Sequence, residues 1–206
     1  MRTLLRIDAS MFSERGQSSR LAEEFVAQWR AAMPGTRVVM RDIGADPVPH
    51  LTAERFAALT AKPEARTAEQ HAIAGFSDNL VGELRQADVI VLGLPLYNLG
   101  IPSTLKAYFD HIARAGVTFR YTDKGPEGLI TGKKVYVFAA RGGIYANTPL
   151  DTQTSYVRHV LGFIGLTDVE FIYAEGLSMG DAAKAQALTG AEAAIRQAVN
   201  SFRLAA

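Results

Sequence analysis

At 206 residues, 48% of them hydrophobic, the chain is long enough for one domain spanning residues 1–206 with a continuous core, and needs no second. Twenty-two Lys and Arg against 21 Asp and Glu leave a net charge of +1, and no long basic run could track a nucleic-acid backbone, so nucleic acid is not an expected partner. The absence of cysteine excludes disulfides, thiolate nucleophiles and Cys-ligated zinc or iron–sulfur centres, so any redox chemistry must sit on a bound cofactor.

Short β-rich runs alternate with longer stretches of helical period, the pattern of βαβ units around a parallel sheet. The spacing predicts strands at Thr3–Ile7, Arg37–Ile43, Asp88–Leu94, Lys134–Ala140 and Val169–Tyr173. Helices are predicted between and after them at Ser18–Met33, Ala68–Gln86, Pro102–Ala115, Thr152–Gly165 and Asp181–Phe202. The third and fourth strands are continuous apolar runs, as central strands covered on both faces should be. Pro34-Gly35 stops the first helix, Pro102 suits the first turn of the third, and Asp181 is expected to N-cap the last. Asp46–Thr67 and Val117–Gly132 read as an elaborated crossover and a long excursion, and loops of that length in a compact domain tend to carry function. The common order for such a doubly wound α/β sheet is 2-1-3-4-5, with other three-layer orders left open by periodicity alone. The longest apolar stretch, Val89–Tyr97, is interrupted by Gly93 and Pro95 and is about half the length a bilayer requires. The N-terminal segment also reaches Asp8 before any signal-type apolar region develops, so a cytoplasmic protein with no membrane partner is expected.

Ligands of an open parallel sheet bind outside the carboxyl ends of its strands, which directs attention to the loops after strands one, three and four. The first enters a helix through a hydroxyl-rich turn. Ser10, Ser18 and Ser19, with Arg15 or Arg20 and the amides of a helix N-terminus, suit a phosphomonoester; an ordinary serine N-cap is the plainer alternative. Neither GxGxxG nor GxxxxGK[ST] occurs, which argues against a Rossmann dinucleotide site and against an NTPase. In the second loop, Pro95-Leu96-Tyr97-Asn98-Leu99 can lay main chain along a flat heteroaromatic ring, or simply pack on its own helix. The third, Ala140-Arg141-Gly142-Gly143, allows close approach of backbone to a ligand. There Arg141 is expected to set positive charge beside a carbonyl-rich ring edge, raising the reduction potential of a flavin.

These segments, together with Ala113–Thr122, Gly125–Leu129, Thr131–Lys134, Leu161–Gly165 and Ala174–Gly176, resemble the FMN-dependent NADH-azoreductases. That family is also treated as NADH:quinone reductases, within the flavodoxin-like superfamily. The resemblance covers nearly the whole chain and implies a three-layer flavodoxin-like fold with a five-stranded parallel sheet of order 2-1-3-4-5. It implies non-covalent FMN, NADH or NADPH as electron donor, quinone or azo acceptors, and a ping-pong cycle in which hydride enters and leaves at flavin N5 with no catalytic side chain. By it, Ser10, Gly16, Gln17 and Ser18 contact the phosphate, while Pro95, Leu96, Tyr97, Asn98, Leu99, Ala140, Arg141, Gly142 and Gly143 hold the ring. It further implies a homodimer with two sites at the subunit interface. The chain departs from the pattern at Gly16 (often Ser), at Leu96 and Leu99 (often Met and Phe) and at Ala140 (often Ser). The Gly16 amide is expected to keep the phosphate contact that a lost hydroxyl would have made.

Phe119, Tyr121 and Phe163 are expected to form an aromatic wall opposite the exposed flavin face, sorting acceptors by shape. His50, His71, His111 and His159 lack metal-ligand spacing, and Asp110-His111 points in two directions on a helix. The competing reading, a flavodoxin-type electron carrier, suits a strongly acidic chain better than a nearly neutral one.

Overall fold

The computed structural model describes residues 1–205. Five parallel strands form one sheet in the order β2-β1-β3-β6-β7: β1 Thr3–Asp8, β2 Arg37–Asp42, β3 Val89–Pro95, β6 Lys134–Ala140 and β7 Asp168–Ala174. This is the 2-1-3-4-5 arrangement. Its layers follow from side-chain alternation along the central strands. Val89, Val91, Tyr136 and Phe138 point to one face, where α1 (Gln17–Ala32) and α6 (Asp181–Ala205) cover them. Ile90, Leu92, Leu94, Val135 and Val137 point to the other, beneath α3 (Ala68–Gln86), α4 (Ser103–Ile112) and α5 (Thr152–Phe163). All seven residues of β3 are buried, whereas the edge strand β2 is only partly covered. The helix after β1 packs on one face of the sheet and the helix after β3 on the other, so the loops at the carboxyl ends of these neighbouring strands part and open the crevice in which such folds bind ligands.

The two long connections contain structure that the sequence pattern does not declare. Asp46–Thr67 carries a short helix, α2 (Ala53–Thr60), capped by the Thr52 hydroxyl accepting from the Arg55 amide at 3.2 Å. Val117–Gly132 folds into a hairpin of β4 (Phe119–Thr122) and β5 (Gly125–Gly128) outside the main sheet. Gly128 packs on the backbone of Gly165: a Cβ on Gly128 would lie 2.0 Å from the Gly165 nitrogen, so the hairpin seats against the end of α5 only because both residues lack side chains. Two expected helix starts also shift. Pro102 occupies the N-cap of α4, its carbonyl accepting from Lys106 at 3.1 Å, and Asp181 lies inside the first turn of α6 rather than capping it.

No helix among the described residues is long and apolar enough to cross a membrane.

Candidate functional site

The first turn of α1 sets the site's polar end. Gly16 is the N-cap and has no side chain to close the helix, and the first intrahelical acceptor is its own carbonyl, taken by the Arg20 amide at 3.0 Å. The amides of Gln17, Ser18 and Ser19 are therefore left without an acceptor among the described residues. The hydroxyls of Ser18 and Ser19 are fully buried and unpartnered as well. Buried donors of this kind cost roughly 1–3 kcal/mol each unless something accepts from them, and an anion at the helix end would do so. A Cβ at 16 would stand 2.2 Å from the Ser10 hydroxyl, so glycine here lets Ser10 sit directly against the start of α1. The expectation for its amide is corrected: the Gly16 N–H donates to the Ser13 carbonyl at 3.1 Å, so the open donors begin one residue later.

Beneath that turn lies a buried ion network. The Arg6 guanidinium grips Asp8 through two bonds of 3.1 and 2.7 Å, donates to the Ser19 carbonyl at 3.0 Å and pairs with Glu23. Burial lifts the Asp8 carboxyl above its usual range, against the opposing pull of Arg6. The contact with Ser19 fixes the first turn of α1 from below.

Tyr97 joins this end to the loop after β3. Its hydroxyl lies 3.2 Å from the Ser10 hydroxyl and accepts from the Met11 amide at 3.3 Å. Tyr97 and Gly100 exchange both backbone hydrogen bonds, at 3.1 and 2.9 Å, around Asn98 (φ +48°) and Leu99 (φ +62°). Both central residues thus sit in the left-handed region, a conformation uncommon outside glycine and costly for leucine, and one that gathers at ligand-binding turns. The Thr152 hydroxyl donates to the Leu99 carbonyl and anchors the turn.

Two cavities meet at Leu96 and Tyr97. The smaller, about 280 Å³, is walled by Ser10, Gly16, Gln17, Pro95, Ala140, Arg141 and Gly142, with Phe12, Leu177, Ser178 and Lys184. The larger, about 660 Å³, lies toward Ala9, Met11, Gly44, Asn98 and the first turn of α4. A phosphate-like end and a slot between apolar loops therefore share one crevice.

The structure thus brings together most of the residues predicted to hold a cofactor, from three loops distant in sequence. Ser18 is fully buried and lines neither cavity. Leu99 and Gly143 line neither cavity: Leu99 is exposed at the tip of its turn, and a Cβ on Gly143 would press on the Tyr145 ring at 3.0 Å. Arg15 and Arg20 are exposed and line neither cavity.

Arg141 does not supply the free charge expected of it. Its guanidinium is fully buried and bonds Asp151 at 3.0 Å, Glu175 at 3.1 Å, Thr154 at 2.9 Å and Gln153 at 3.3 Å, lying over the Tyr173 ring. Two carboxylates match its charge locally. Burial alone would lift the Asp151 carboxyl, yet bonds from Arg141 and Thr154 together hold it below the usual range. The Glu175 carboxylate also accepts from the amides of Tyr145 and Ala146, both at 2.9 Å, so the network shapes the loop after β6.

The aromatic trio lies elsewhere too. Phe119 and Phe163 stack with centroids 4.2 Å apart, and Tyr121 meets Phe119 edge-on at 5.5 Å. None of the three lines either cavity of the same chain. Phe163 instead borders an apolar groove of about 320 Å³ between α4 and α5, with Phe109, Tyr156 and Val160, and Tyr121 is three-quarters exposed.

Sequence reasoning passed over the loop after β7, which contributes Leu177, Ser178 and, from α6, Lys184. The signal was present in Gly176-Leu177-Ser178-Met179-Gly180, a glycine-bounded turn at a fourth carboxyl end of the sheet. The turn is tied to its neighbour by Leu177 N–H to Arg141 O at 3.1 Å and Ser178 N–H to Gly142 O at 2.9 Å.

Comparison with known proteins agrees with this geometry. The family described as Flavodoxin-like fold matches residues 2–199. An FMN-dependent NADH:quinone oxidoreductase of Cellvibrio japonicus is 56% identical over 97% of this chain and 99% of its own length. FMN-dependent NADH:quinone oxidoreductase 6 of Burkholderia lata is 55% identical over 96% of this chain and 100% of its own. Among solved structures, an azoreductase from Bacillus anthracis superposes with a TM-score of 0.89 at 30% identity, covering 98% of this chain and 100% of that one. With its fold and nearly its whole length shared, the chain belongs to the flavodoxin-like fold family, alongside the FMN-dependent NADH:quinone oxidoreductases.

Proposed function

We propose that this protein is an FMN-dependent oxidoreductase that takes electrons from NADH, or NADPH, and delivers them in pairs to quinones and aromatic azo compounds. The observation that carries this reading is the pair of orphaned, fully buried serine hydroxyls beside open amides at the first turn of α1. They complement a phosphate beside a cavity that Pro95, Leu96, Tyr97 and Ala140 also wall.

FMN, when bound, supplies the two-electron chemistry at its ring nitrogen N5. The chain supplies placement. Ser10, Gln17 and Ser18, with the open amides, hold the phosphate; the main chain of Pro95–Asn98 and Ala140–Gly142 borders the ring, and Leu96 with Tyr97 keeps water from it. Leu99 and Gly143 act indirectly, by shaping their turns. Each electron pair would reach the acceptor as a hydride with a further proton drawn from solvent, so the part asked of the chain is placement rather than proton transfer.

The same reading makes the protein a cytoplasmic homodimer, where its nicotinamide donor is abundant. The α4–α5 groove is an apolar surface suited to a second copy, and Tyr121, exposed on its hairpin, is free to reach across such an interface.

Purified protein is expected to be yellow with about one FMN per chain, to bleach on mixing with NADH alone, and to regain colour with a quinone. A carrier that docks on protein partners would hold FMN yet fail to bleach without them, and that outcome would defeat the proposal.

A further inference from the structure

Among the described residues two cationic side chains line the smaller cavity, and they differ in what already neutralises them. Arg141 is matched by Asp151 and Glu175. Lys184 is half-buried, and its ammonium makes no ion pair or hydrogen bond among the described residues. It shares the cavity wall with Gly16 and Gln17, which open α1 immediately before the buried, unpartnered hydroxyls of Ser18 and Ser19. We propose that Lys184 binds the FMN phosphate and supplies the full positive charge by which this cavity selects the dianionic phosphomonoester over uncharged riboflavin. This inference rests on the FMN reading above.

The physical need is one of charge. A phosphomonoester carries about −1.5 to −2 near neutral pH. Amides and hydroxyls of a helix start offer only dipoles, equivalent to roughly half a positive charge. Arg15 and Arg20, the nearest cations in sequence, are exposed and outside the cavity. Lys184 makes up the difference from another element. The fold holds it there by pinning the entry to α6 onto the loop after β6, through Gly176 N–H to Gly143 O at 3.0 Å and the two bonds from Leu177 and Ser178. Gly180, at φ +99°, then turns the chain into the helix, and Lys184 closes its first turn by donating its amide to the Gly180 carbonyl at 3.0 Å.

The test compares apo wild type with Lys184→Met, which keeps the apolar stem, and Lys184→Arg, which keeps the charge. Titrations with FMN and with riboflavin are followed by quenching of flavin fluorescence. Losing a charge-assisted bond should weaken FMN about tenfold or more in Lys184→Met and leave riboflavin within about twofold, with Lys184→Arg close to wild type. A second readout follows the phosphate itself. Phosphorus NMR of bound FMN in wild type should show the phosphate remaining dianionic well below its ordinary second pKa near about 6, and Lys184→Met should move that titration back toward the free value. Equal weakening of both flavins would mean that the lysine merely shapes the cavity, and would overturn the proposal. So would unchanged FMN affinity in Lys184→Met beside a wild type that binds FMN tightly. A wild type that binds neither flavin would instead overturn the FMN reading, and Lys184's role with it.

Discussion

Arg141 shows how a residue's neighbours, rather than its identity, decide its role. A guanidinium beside Gly142 and Gly143 reads as a charge offered to a ligand, yet its donors are spent on Asp151, Glu175, Thr154 and Gln153 in a buried site. Removing one partner of a buried ion pair typically costs about 3–5 kcal/mol, because the other is left charged and unpaired. Arg141→Met is therefore expected to lower the thermal midpoint by about 6 °C or more for a chain of this size, with little change in the reduction potential of bound FMN. Thermal unfolding and a redox titration on the same sample check this; a potential that falls while the midpoint holds would return Arg141 to the flavin. The acid limb follows from Asp151, whose carboxyl is held low by Arg141 and Thr154 despite its burial. Its stabilising effect is complete above the usual carboxylate range and disappears as pH falls through the depressed value.

At the scale of elements, the docking of α4 on the crossover from β2 depends on one histidine. His111 is fully buried, its Nε2 donates to the Pro49 carbonyl at 3.0 Å, and its Nδ1 has no partner. Because a carbonyl only accepts, Nε2 carries the proton and Nδ1 stays bare. A second proton on Nδ1 would find no acceptor. Burial accordingly holds the imidazole's pKa below its ordinary value, against the pull of Pro49. With the folded pKa depressed, the contribution to stability is whole above about pH 6.5 and is lost as pH falls toward the lower folded value. His111→Gln is expected to cost about 1 kcal/mol at pH 7.5 and to flatten the decline in thermal midpoint between pH 6.5 and 5. Melting curves at the two ends of that range decide it, and an unchanged decline in the variant would shift the cause to another group. The hairpin β4–β5 makes a related point: two four-residue strands, the second of them Gly-Pro-Glu-Gly, leave almost no period to read, and the Gly128–Gly165 contact that seats them joins residues far apart in the chain.

For the whole molecule, the separation of the aromatic trio from both cavities gives the proposed dimer a sharp consequence. If Tyr121 completes a site, it completes the partner's. Tyr121→Ala should then keep FMN and thermal midpoint but lower kcat/KM for a flat quinone by up to about tenfold, the rate equivalent of one well-placed aromatic contact. Chains of Tyr121→Ala mixed with chains made unable to bind FMN by Gly16→Val should form hybrids in which each remaining FMN faces a native Tyr121. Activity per bound FMN is expected to return toward the wild-type value on mixing. Failure to recover in hybrids shown by native mass spectrometry to have formed would place Tyr121 within its own chain's site or outside any site.

The sequence alone carried the fold class, the five main strands, the sheet order among its common alternatives, and most of the crevice, since Ser10, Gln17, Tyr97, Asn98 and Ala140 all follow strands whose ends must converge in a parallel sheet. Apolar runs and helix stops are local, and local signals survive in a one-dimensional string. What only the tertiary structure decided was which of several similar groups is free to act. Arg141 and Lys184 are both cations near glycine turns, and nothing nearby in sequence says that Glu175 and Asp151 converge on the first while the second stays open to the cavity. Nor does it say that the Gly16 amide is already taken by Ser13, or that Phe163 faces a groove between helices rather than the crevice. Charge matching, hydrogen-bond satisfaction and facing are properties of neighbours in space, and the chain brings those neighbours together only once the sheet has set the distance between its loops.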